Sequence, residues 1–165
     1  MAEKPIHKTK PKAVQPKAPK TIIGRSELVD FPEWHILGLR AKVDTGARTS
    51  ALHVENLDKL DGDRVRFDVV LDHKSGKTVR HLTADVVRWS KVRSSSGHFT
   101  RRCFIRTRIL LAGVEKEIEI SLVSREKMVY RMLLGRQALA KDFLVDVARS
   151  GVRRKKKRVK PTPAA

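Results

Sequence analysis

The sequence predicts an all-β domain, a small and partly closed β-barrel with one short C-terminal helix, flanked by two disordered basic tails. Apolar and polar residues alternate with a period of two in several segments, and turn signals recur between them. Helical patterns are few and short. In a chain of 165 residues, 40% of them hydrophobic, regularly spaced short strands favour a small barrel.

Three segments show the alternation most clearly. Residues 64–71 and residues 103–111 each place their apolar side chains on one face, and residues 114–122 oppose theirs with three glutamates. Such patterns are typical of half-buried antiparallel strands, because one face meets the core and the other meets water. Turn signals lie at residues 61–62, 75–76, 94–97 and 112–113, the last between two of these strands.

The helical patterns are confined to two places. One short helix is expected over Gln137–Lys141, directly after an apolar strand, and a helical turn is expected near Glu55–Leu60. Aromatic residues make up only 5% of the chain, so the core is expected to consist mainly of Val, Ile and Leu.

Charge divides the chain into three parts. Residues 1–20 carry six lysines and one glutamate, and residues 151–165 carry seven Lys/Arg and no acid, so the tails contribute +5 and +7 to the net charge of +19. We expect both tails to be disordered, since segments this polar cannot bury enough surface to offset the entropy of ordering. Residues 21–150 are expected to form the domain. The tails are either solvated arms or contacts to a polyanion such as RNA, the ribosome or an acidic protein.

Several classes of protein are disfavoured by the sequence. No apolar run approaches the roughly 20 residues of a membrane span, so a soluble cytoplasmic protein without membrane contact is expected. Cys103 is the only cysteine, and its place on an apolar strand face predicts a buried, inert thiol. The histidines lack the spacing of metal ligands, and no phosphate-binding glycine loop is present. We therefore expect no metal, ATP or other cofactor, and one histidine satisfied within the core.

The segment with the most chemical content is residues 41–50, where an apolar strand ends in Asp44-Thr45-Gly46. Gly46 allows a tight backbone path that brings amides close to the Asp44 carboxylate. An Asp-Thr-Gly alone is weak evidence, because an ordinary Asx-type turn has the same residues.

A second segment, residues 132–139, reads Met-Leu-Leu-Gly-Arg-Gln-Ala-Leu, an apolar strand followed by Gly135 and a short helix. Asp-Thr-Gly-Ala followed later by Leu-Leu-Gly-Arg, in an all-β chain, resembles the retropepsin-like aspartic peptidases. The longer string over residues 42–53 is similar to a bacterial branch often labelled "ATP-dependent zinc protease" and associated with RimK-type glutamate ligases. The resemblance covers roughly residues 21–148, and it implies that the second motif packs behind the catalytic loop, with its glycine allowing close approach.

The resemblance implies hydrolysis of peptide bonds by two aspartates that share one proton and activate one water. This chain has one Asp-Thr-Gly, so a homodimer must supply the second Asp44 across a two-fold axis. The family pattern assigns catalysis to Asp44, Thr45 and Gly46, with Thr45 bracing the paired loops. It assigns substrate binding to the following residues: Ala47, Arg48, Thr49, Gly135 and Arg136.

One departure from the family pattern concerns charge. Retroviral members carry an aspartate at the position of Arg48, paired with the arginine at the position of Arg136, so Arg136 must find another acid or face a like charge. Arg48 either favours a carboxylate-rich substrate, such as a glutamate-extended protein tail, or forms an ion pair with a local acid such as Glu55. Residues 72–78 or 94–100 could form the hairpin tip that covers the substrate. The competing hypothesis is a catalytically inactive barrel that binds RNA or ribosomes through its basic tails.

Overall fold

The computed structural model describes residues 19–71, 79–93, 97, 99–126 and 128–151. Both basic tails, apart from residues 19–20 and 151, lie outside the described residues, as do residues 72–78 and most of 94–98. Its strands are β1 (Thr21–Gly24), β2 (Ser26–Phe31), β3 (Ile36–Val43), β4 (Ser50–His53), β5 (Glu55–Leu60), β6 (Arg64–Val70), β7 (Val79–Arg93), β8 (Phe99–Leu111), β9 (Val114–Val123), β10 (Met132–Leu134) and β11 (Phe143–Asp146). A 3-10 helix spans Pro32–Trp34, and α1 spans Arg136–Leu139.

Six of the strands close into a ring. The hydrogen-bonded order is β2-β3-β10-β4-β9-β8, and β2 pairs again with β8 through the Val29–Leu111 and Asp30–Leu110 registers. Strands β7, β6 and β5 continue outward from β8. Because this extension stays open while the ring is closed, the prediction of a partly closed all-β barrel is confirmed.

The core fills the ring with aliphatic side chains, as the low aromatic content predicts. Alternate residues of the predicted strands point inward, so that Ile105, Ile109, Ile118 and Ile120 are buried. Cys103 lies on the same inner stripe, and burial raises the pKa of its thiol to about 11, so it is a protonated core side chain.

A small aromatic cluster joins the 3-10 helix to the barrel and to the outer strands. The rings of Phe31 and Trp34 stack at 4.7 Å between centroids, and Phe67 of β6 meets Trp34 edge-on at 5.8 Å. This contact holds the β5–β6–β7 extension against the barrel.

The prediction of a helical turn near Glu55–Leu60 is wrong, because these residues form β5. Asn56 adopts a left-handed conformation with φ 48°, and the register with β6 shifts between Glu55 and Asp58. This irregularity breaks the period-two pattern that would have revealed a strand. The C-terminal helix is confirmed, although it begins at Arg136 and ends at Leu139.

The β1 and β11 strands form a separate parallel pair. Ile22 and Leu144 are neighbours in its register, and both are about half exposed. The chain then passes from β1 to Arg25, whose carbonyl accepts the amide hydrogen of Val43 at the end of β3. The two-stranded sheet is thus connected to the strand that precedes Asp44. Among the described residues, no helix is long and apolar enough to cross a membrane.

Candidate active site

Asp44 lies at the carboxyl end of β3, next to the second motif. β3 and β10 are parallel and pair Val43 with Leu134, so the Asp-Thr-Gly and Leu-Leu-Gly segments leave the barrel side by side. The Asp44 amide donates to the Leu134 carbonyl at 3.0 Å. Two segments about 90 residues apart in sequence therefore fix the backbone of one carboxylate.

The loop after β3 turns its amides toward that carboxylate. Oδ1 of Asp44 accepts hydrogen bonds from the amides of Gly46 and Ala47, each at 3.0 Å. Among the described residues, Oδ2 accepts none, and the side chain is half-buried. Thr45 and Gly46 are exposed at the tip of the loop. These two hydrogen bonds form an Asx-type turn, which fixes the position of Oδ1 and hence of the Asp44 carboxylate.

Gly135 allows the two motifs to cross in close contact. A Cβ atom at this position would lie 2.5 Å from both the carbonyl carbon and the oxygen of Thr49, and 3.0 Å from the carbonyl carbon of Arg48. These are backbone atoms, which cannot move away as a flexible side chain could. The position therefore excludes every residue larger than glycine, which is the packing that the family resemblance implied.

Arg136 binds the loop from behind. Its Nη1 donates to the carbonyls of Thr45 at 3.1 Å and Gly46 at 2.7 Å, and its amide donates to the Ala47 carbonyl at 2.9 Å. Among the described residues, Arg136 thus meets backbone carbonyls rather than a carboxylate. A guanidinium with several fixed donors can satisfy adjacent carbonyls at once, so Arg136 holds the shape of the loop.

Arg48 and Thr49 continue from the loop into β4. Arg48 is exposed, and its carbonyl accepts the Gln137 amide at 3.1 Å, while Thr49 is half-buried. Glu55, the expected ion-pair partner of Arg48, instead contacts His53 at 3.3 Å and Arg131 at 3.8 Å. Among the residues that the structure describes, no carboxylate lies within ion-pair distance of the exposed Arg48 side chain.

Two buried serines support the crossing, and no sequence motif points to either of them. Ser50 Oγ accepts the Gly135 amide at 3.2 Å, and Ser121 Oγ donates to the Ser50 carbonyl at 3.1 Å. Both residues are almost fully buried. Small polar residues are ambiguous in sequence, since serine also fits exposed turns, so only the sheet register reveals their role.

His53 is the core histidine that the sequence leads one to expect. It is 1% exposed, and its Nδ1 accepts the Arg125 amide at 2.7 Å, which assigns the proton to Nε2, facing Glu55. Burial lowers its pKa, and the charge of Arg131 lowers it further; the hydrogen bond to Glu55 and the charges of Glu55 and Glu126 oppose this shift. His53 is therefore neutral and holds the loop that follows β9.

The stability of the protein should depend on His53 below neutral pH. Because the folded pKa lies below the ordinary value of about 6.5, the unfolded chain binds the proton first. The contribution of His53 to the free energy of unfolding should be fully present above about pH 6.5. It should be lost progressively as the pH falls below that value. Urea unfolding between pH 7.5 and 5.5 measures this slope, and His53→Asn should flatten it. His35→Asn is the matched control, since His35 is exposed and already left-handed; equal slopes in all three proteins would contradict the assignment.

Two further arginines are partly desolvated, and no motif in the sequence points to them. Arg102 of β8 and Arg125, which follows β9, are both half-buried. Burial lowers the pKa of each guanidinium; for Arg125 the charge of Arg102 adds to this shift, and the charge of Asp44 opposes it. The Asp44 carboxylate thus lies within the electrostatic reach of a partly desolvated cation.

No cluster of three or more His, Cys, Asp or Glu that could hold a metal occurs in the part of the chain that the structure describes. The geometry around Asp44 is built from a carboxylate, backbone amides and arginines.

Comparisons with known proteins identify the family of this chain. The RimB-like family model, described as the retropepsin-like aspartic endopeptidase RimB, matches residues 22–156. A probable alpha-L-glutamate ligase of Shewanella halifaxensis is 37% identical over 134 residues, which are 79% of this chain and 29% of that protein. A protein of the same name from Desulfotalea psychrophila is 36% identical over 132 residues, 78% of this chain and 28% of that protein.

The chain spans less than a third of the length of these curated relatives. Among solved structures, a Legionella pneumophila protein of unknown function is similar with a TM-score of 0.66 and 25% sequence identity, covering 79% of this chain and 96% of that one. The family match covers the barrel and both motifs, with Asp44 and Gly135 placed side by side. This chain therefore belongs to the RimB-like family of retropepsin-like aspartic endopeptidases.

Proposed function

We propose that the protein is an aspartic endopeptidase that forms its catalytic centre from the Asp44 residues of two copies. The observation that carries the proposal is the Asp44 loop: one carboxylate oxygen is fixed by two amides, and the other accepts no hydrogen bond from the described residues. The reaction needs two carboxyl groups, one ionised and one protonated, and a single Asp44 supplies only one of them.

In the proposed reaction, one Asp44 is ionised and the other is protonated. The ionised carboxylate removes a proton from a water molecule as its oxygen bonds to the peptide carbon, and the protonated one donates to the carbonyl oxygen. The tetrahedral intermediate then breaks its carbon–nitrogen bond: the amine leaves with the proton taken from water, and one hydroxyl of the intermediate returns its proton to the second carboxylate as the acid product forms. Both Asp44 side chains are then back in their starting protonation states, and no cofactor is consumed.

The surface around Asp44 supports association of two copies. Thr45 and Gly46 are exposed at the loop tip, and Ile22 and Leu144 form an exposed apolar pair on the small β1–β11 sheet. The bond from Val43 to Arg25 connects this sheet to the catalytic strand. A two-fold axis beside the loop would bring the two Asp44 side chains together and cover this apolar pair.

Charge favours an acidic substrate. The chain has a net charge of +19, Arg48 lies in the loop that follows Asp44, and the charge of Asp44 acts on Arg125. The curated relatives carry the name of a glutamate ligase, an activity that would attach glutamate residues. We therefore propose glutamate-rich or glutamate-extended protein chains as the substrate.

The proposal is tested with an oligo-α-glutamate peptide and an oligoglutamine peptide of equal length. The full-length protein should cleave the glutamate peptide internally and leave the glutamine peptide nearly intact, as seen by mass spectrometry of the fragments. A chelator should not change the rate. Absence of cleavage of both peptides and of a mixed peptide pool, at protein concentrations where dimers are present, would refute an endopeptidase and favour the binding module.

A further inference from the structure

The hairpin formed by β7 and β8 has no acidic residue of its own beyond Asp85. Residues 86–114 contain seven Lys/Arg and no Asp or Glu, so any neutralising carboxylate must come from another strand. Close to the barrel, β9 supplies it. The ion pairs there are Arg88–Glu119, Arg106–Glu117 and Arg108–Glu115. The arginines beside β9 are therefore neutralised within the sheet.

The outer half of the hairpin extends past its neighbouring strands as a two-stranded ribbon. β8 pairs with β9 from Cys103 onward, and β7 pairs with β6 as far as Asp85. Residues 90–93 and 99–102 pair with each other, and no third strand pairs with them among the described residues. Because β9 supplies the carboxylates, this part of the hairpin keeps its positive charge.

One face of the ribbon combines positive charge with aromatic rings. Lys91 and Arg101 lie directly opposite each other in the register, and residues two positions apart along a strand share a face. The face, called the ribbon face below, therefore consists of Trp89, Lys91, Phe99 and Arg101. The Arg101 guanidinium lies 5.2 Å from the centroid of the Trp89 ring. Phe99 is 67% exposed and lines an open groove of about 410 Å³ together with Lys91 and Arg101.

The composition of the ribbon face indicates what it would bind. Like charges directly opposite each other on two strands repel, and both Lys91 and Arg101 are exposed. Among the described residues, neither has a carboxylate within ion-pair distance. A ligand that carries several anionic groups would relieve the repulsion between these cations. A ligand that also carries flat apolar rings would cover the exposed side chain of Phe99.

Single-stranded nucleic acid has both properties. Its phosphates pair with lysine and arginine, and its unstacked bases stack on aromatic side chains and on guanidinium groups. A glutamate chain could neutralise the cations, but it has no ring to place on Phe99. A duplex keeps the faces of its bases covered by their neighbours.

We propose that the ribbon face binds single-stranded nucleic acid, with phosphates at Lys91 and Arg101 and a base stacked on Phe99. This inference does not depend on the proposed peptidase function, and it assigns the contact to the barrel domain and not to the basic tails. The tails add the same attraction to every variant of the full-length protein. Comparison between variants therefore isolates the contribution of the ribbon face.

The first test measures the salt dependence of binding. Labelled dodecauridylate RNA is titrated with the full-length protein, and the Kd is followed by fluorescence anisotropy at increasing salt. The double variant Lys91→Gln/Arg101→Gln should reduce the slope of log Kd against log salt by about 1.4, because each phosphate contact of a single strand contributes about 0.7. The matched control is Arg106→Gln/Arg108→Gln, which removes the same charge from ion-paired arginines. Its slope should stay close to that of the wild type, and equal changes in both double variants would overturn the proposal.

The second test separates stacking from charge. Phe99→Ala should weaken dodecauridylate binding about 5-fold to 100-fold at every salt concentration and leave the slope unchanged, because the base loses its aromatic partner. Leu37→Ala is the matched control, since Leu37 is an apolar side chain of similar exposure, 68%, on another strand. It should bind as the wild type does. An unchanged Kd in Phe99→Ala would refute the stacking site.

Two further probes identify the ligand. Dodecathymidylate DNA has the same phosphates and stacking bases as the RNA and lacks the 2′-hydroxyls, so the comparison shows which kind of strand the ribbon face prefers. Binding of either strand that depends on Phe99 supports the proposal. Hexaglutamate tests the acidic-peptide alternative. If the ribbon variants change only the binding of hexaglutamate, the ribbon face recognises peptides and the proposal is refuted, whereas the peptidase function is unaffected by that result.

Discussion

Asp44→Asn should remove peptide hydrolysis and leave the fold intact. The substitution removes the carboxylate that exchanges a proton with water in the proposed reaction, and acid–base groups of this kind contribute about 10²-fold to 10⁴-fold to rates. The asparagine oxygen can still accept the amides of Gly46 and Ala47, so the loop keeps its hydrogen bonds. We expect a loss of at least about 10³-fold in kcat/KM with less than about 1 kcal/mol change in the free energy of unfolding.

Initial rates on the oligoglutamate peptide and urea unfolding of the same preparation provide the two measurements. Asp58→Asn is the matched control, because Asp58 is an exposed carboxylate that pairs with Arg66 at 2.9 Å on the outer strands. That variant should keep the wild-type rate. A fully active Asp44→Asn protein would exclude Asp44 from the chemistry.

Gly135→Ala should produce the largest loss of stability among single substitutions in the loop. The new Cβ would lie 2.5 Å from backbone atoms of Thr49, so either the crossing opens or both segments shift. Overpacking against a buried site costs about 1–3 kcal/mol, and rigid backbone on the other side places the expected loss near the upper end. Because Arg136 and the Asp44 loop shift with it, kcat/KM should fall as well.

The control for this substitution is Gly62→Ala. Gly62 has a positive φ of 71°, but a Cβ there meets no atom within 4 Å, so its cost is conformational, about 1 kcal/mol. Urea unfolding should rank Gly135→Ala well below Gly62→Ala in stability. Equal stabilities would show that the two motifs are not in the close contact described above.

The sequence alone is sufficient to predict those strands in which one face is buried and the other is exposed. β6, β8 and β9 could be predicted because their buried residues alternate with charged ones, as in the glutamates opposite Ile118 and Ile120. β5 was missed because its exposed residues and the left-handed Asn56 interrupt the period. Closure of the ring through the Val29–Leu111 pair is a long-range contact, and no local pattern encodes it.

The residues of the candidate site also differ in whether the sequence alone predicts them. Asp44 and Gly135 could be found because each lies in one of the two short motifs that resemble those of the retropepsin-like peptidases. The partial burial of Arg102 and Arg125 could not be predicted, since the chain contains 37 lysines and arginines and only the tertiary structure shows which of them are half-buried. The predicted ion pair between Arg48 and Glu55 is not formed, because His53 and Arg131 contact the Glu55 carboxylate.

The central claim is that one reaction needs two Asp44 side chains, and mixing two proteins tests it most directly. Wild type and Asp44→Asn are combined at fixed total concentration, allowed to exchange subunits, and assayed on the oligoglutamate peptide. If both aspartates are needed, an equal mixture should retain about one quarter of the wild-type rate, because only pairs of two wild-type copies are active. A rate of about one half, falling in direct proportion to the wild-type fraction, would mean that each chain acts alone and would contradict the account.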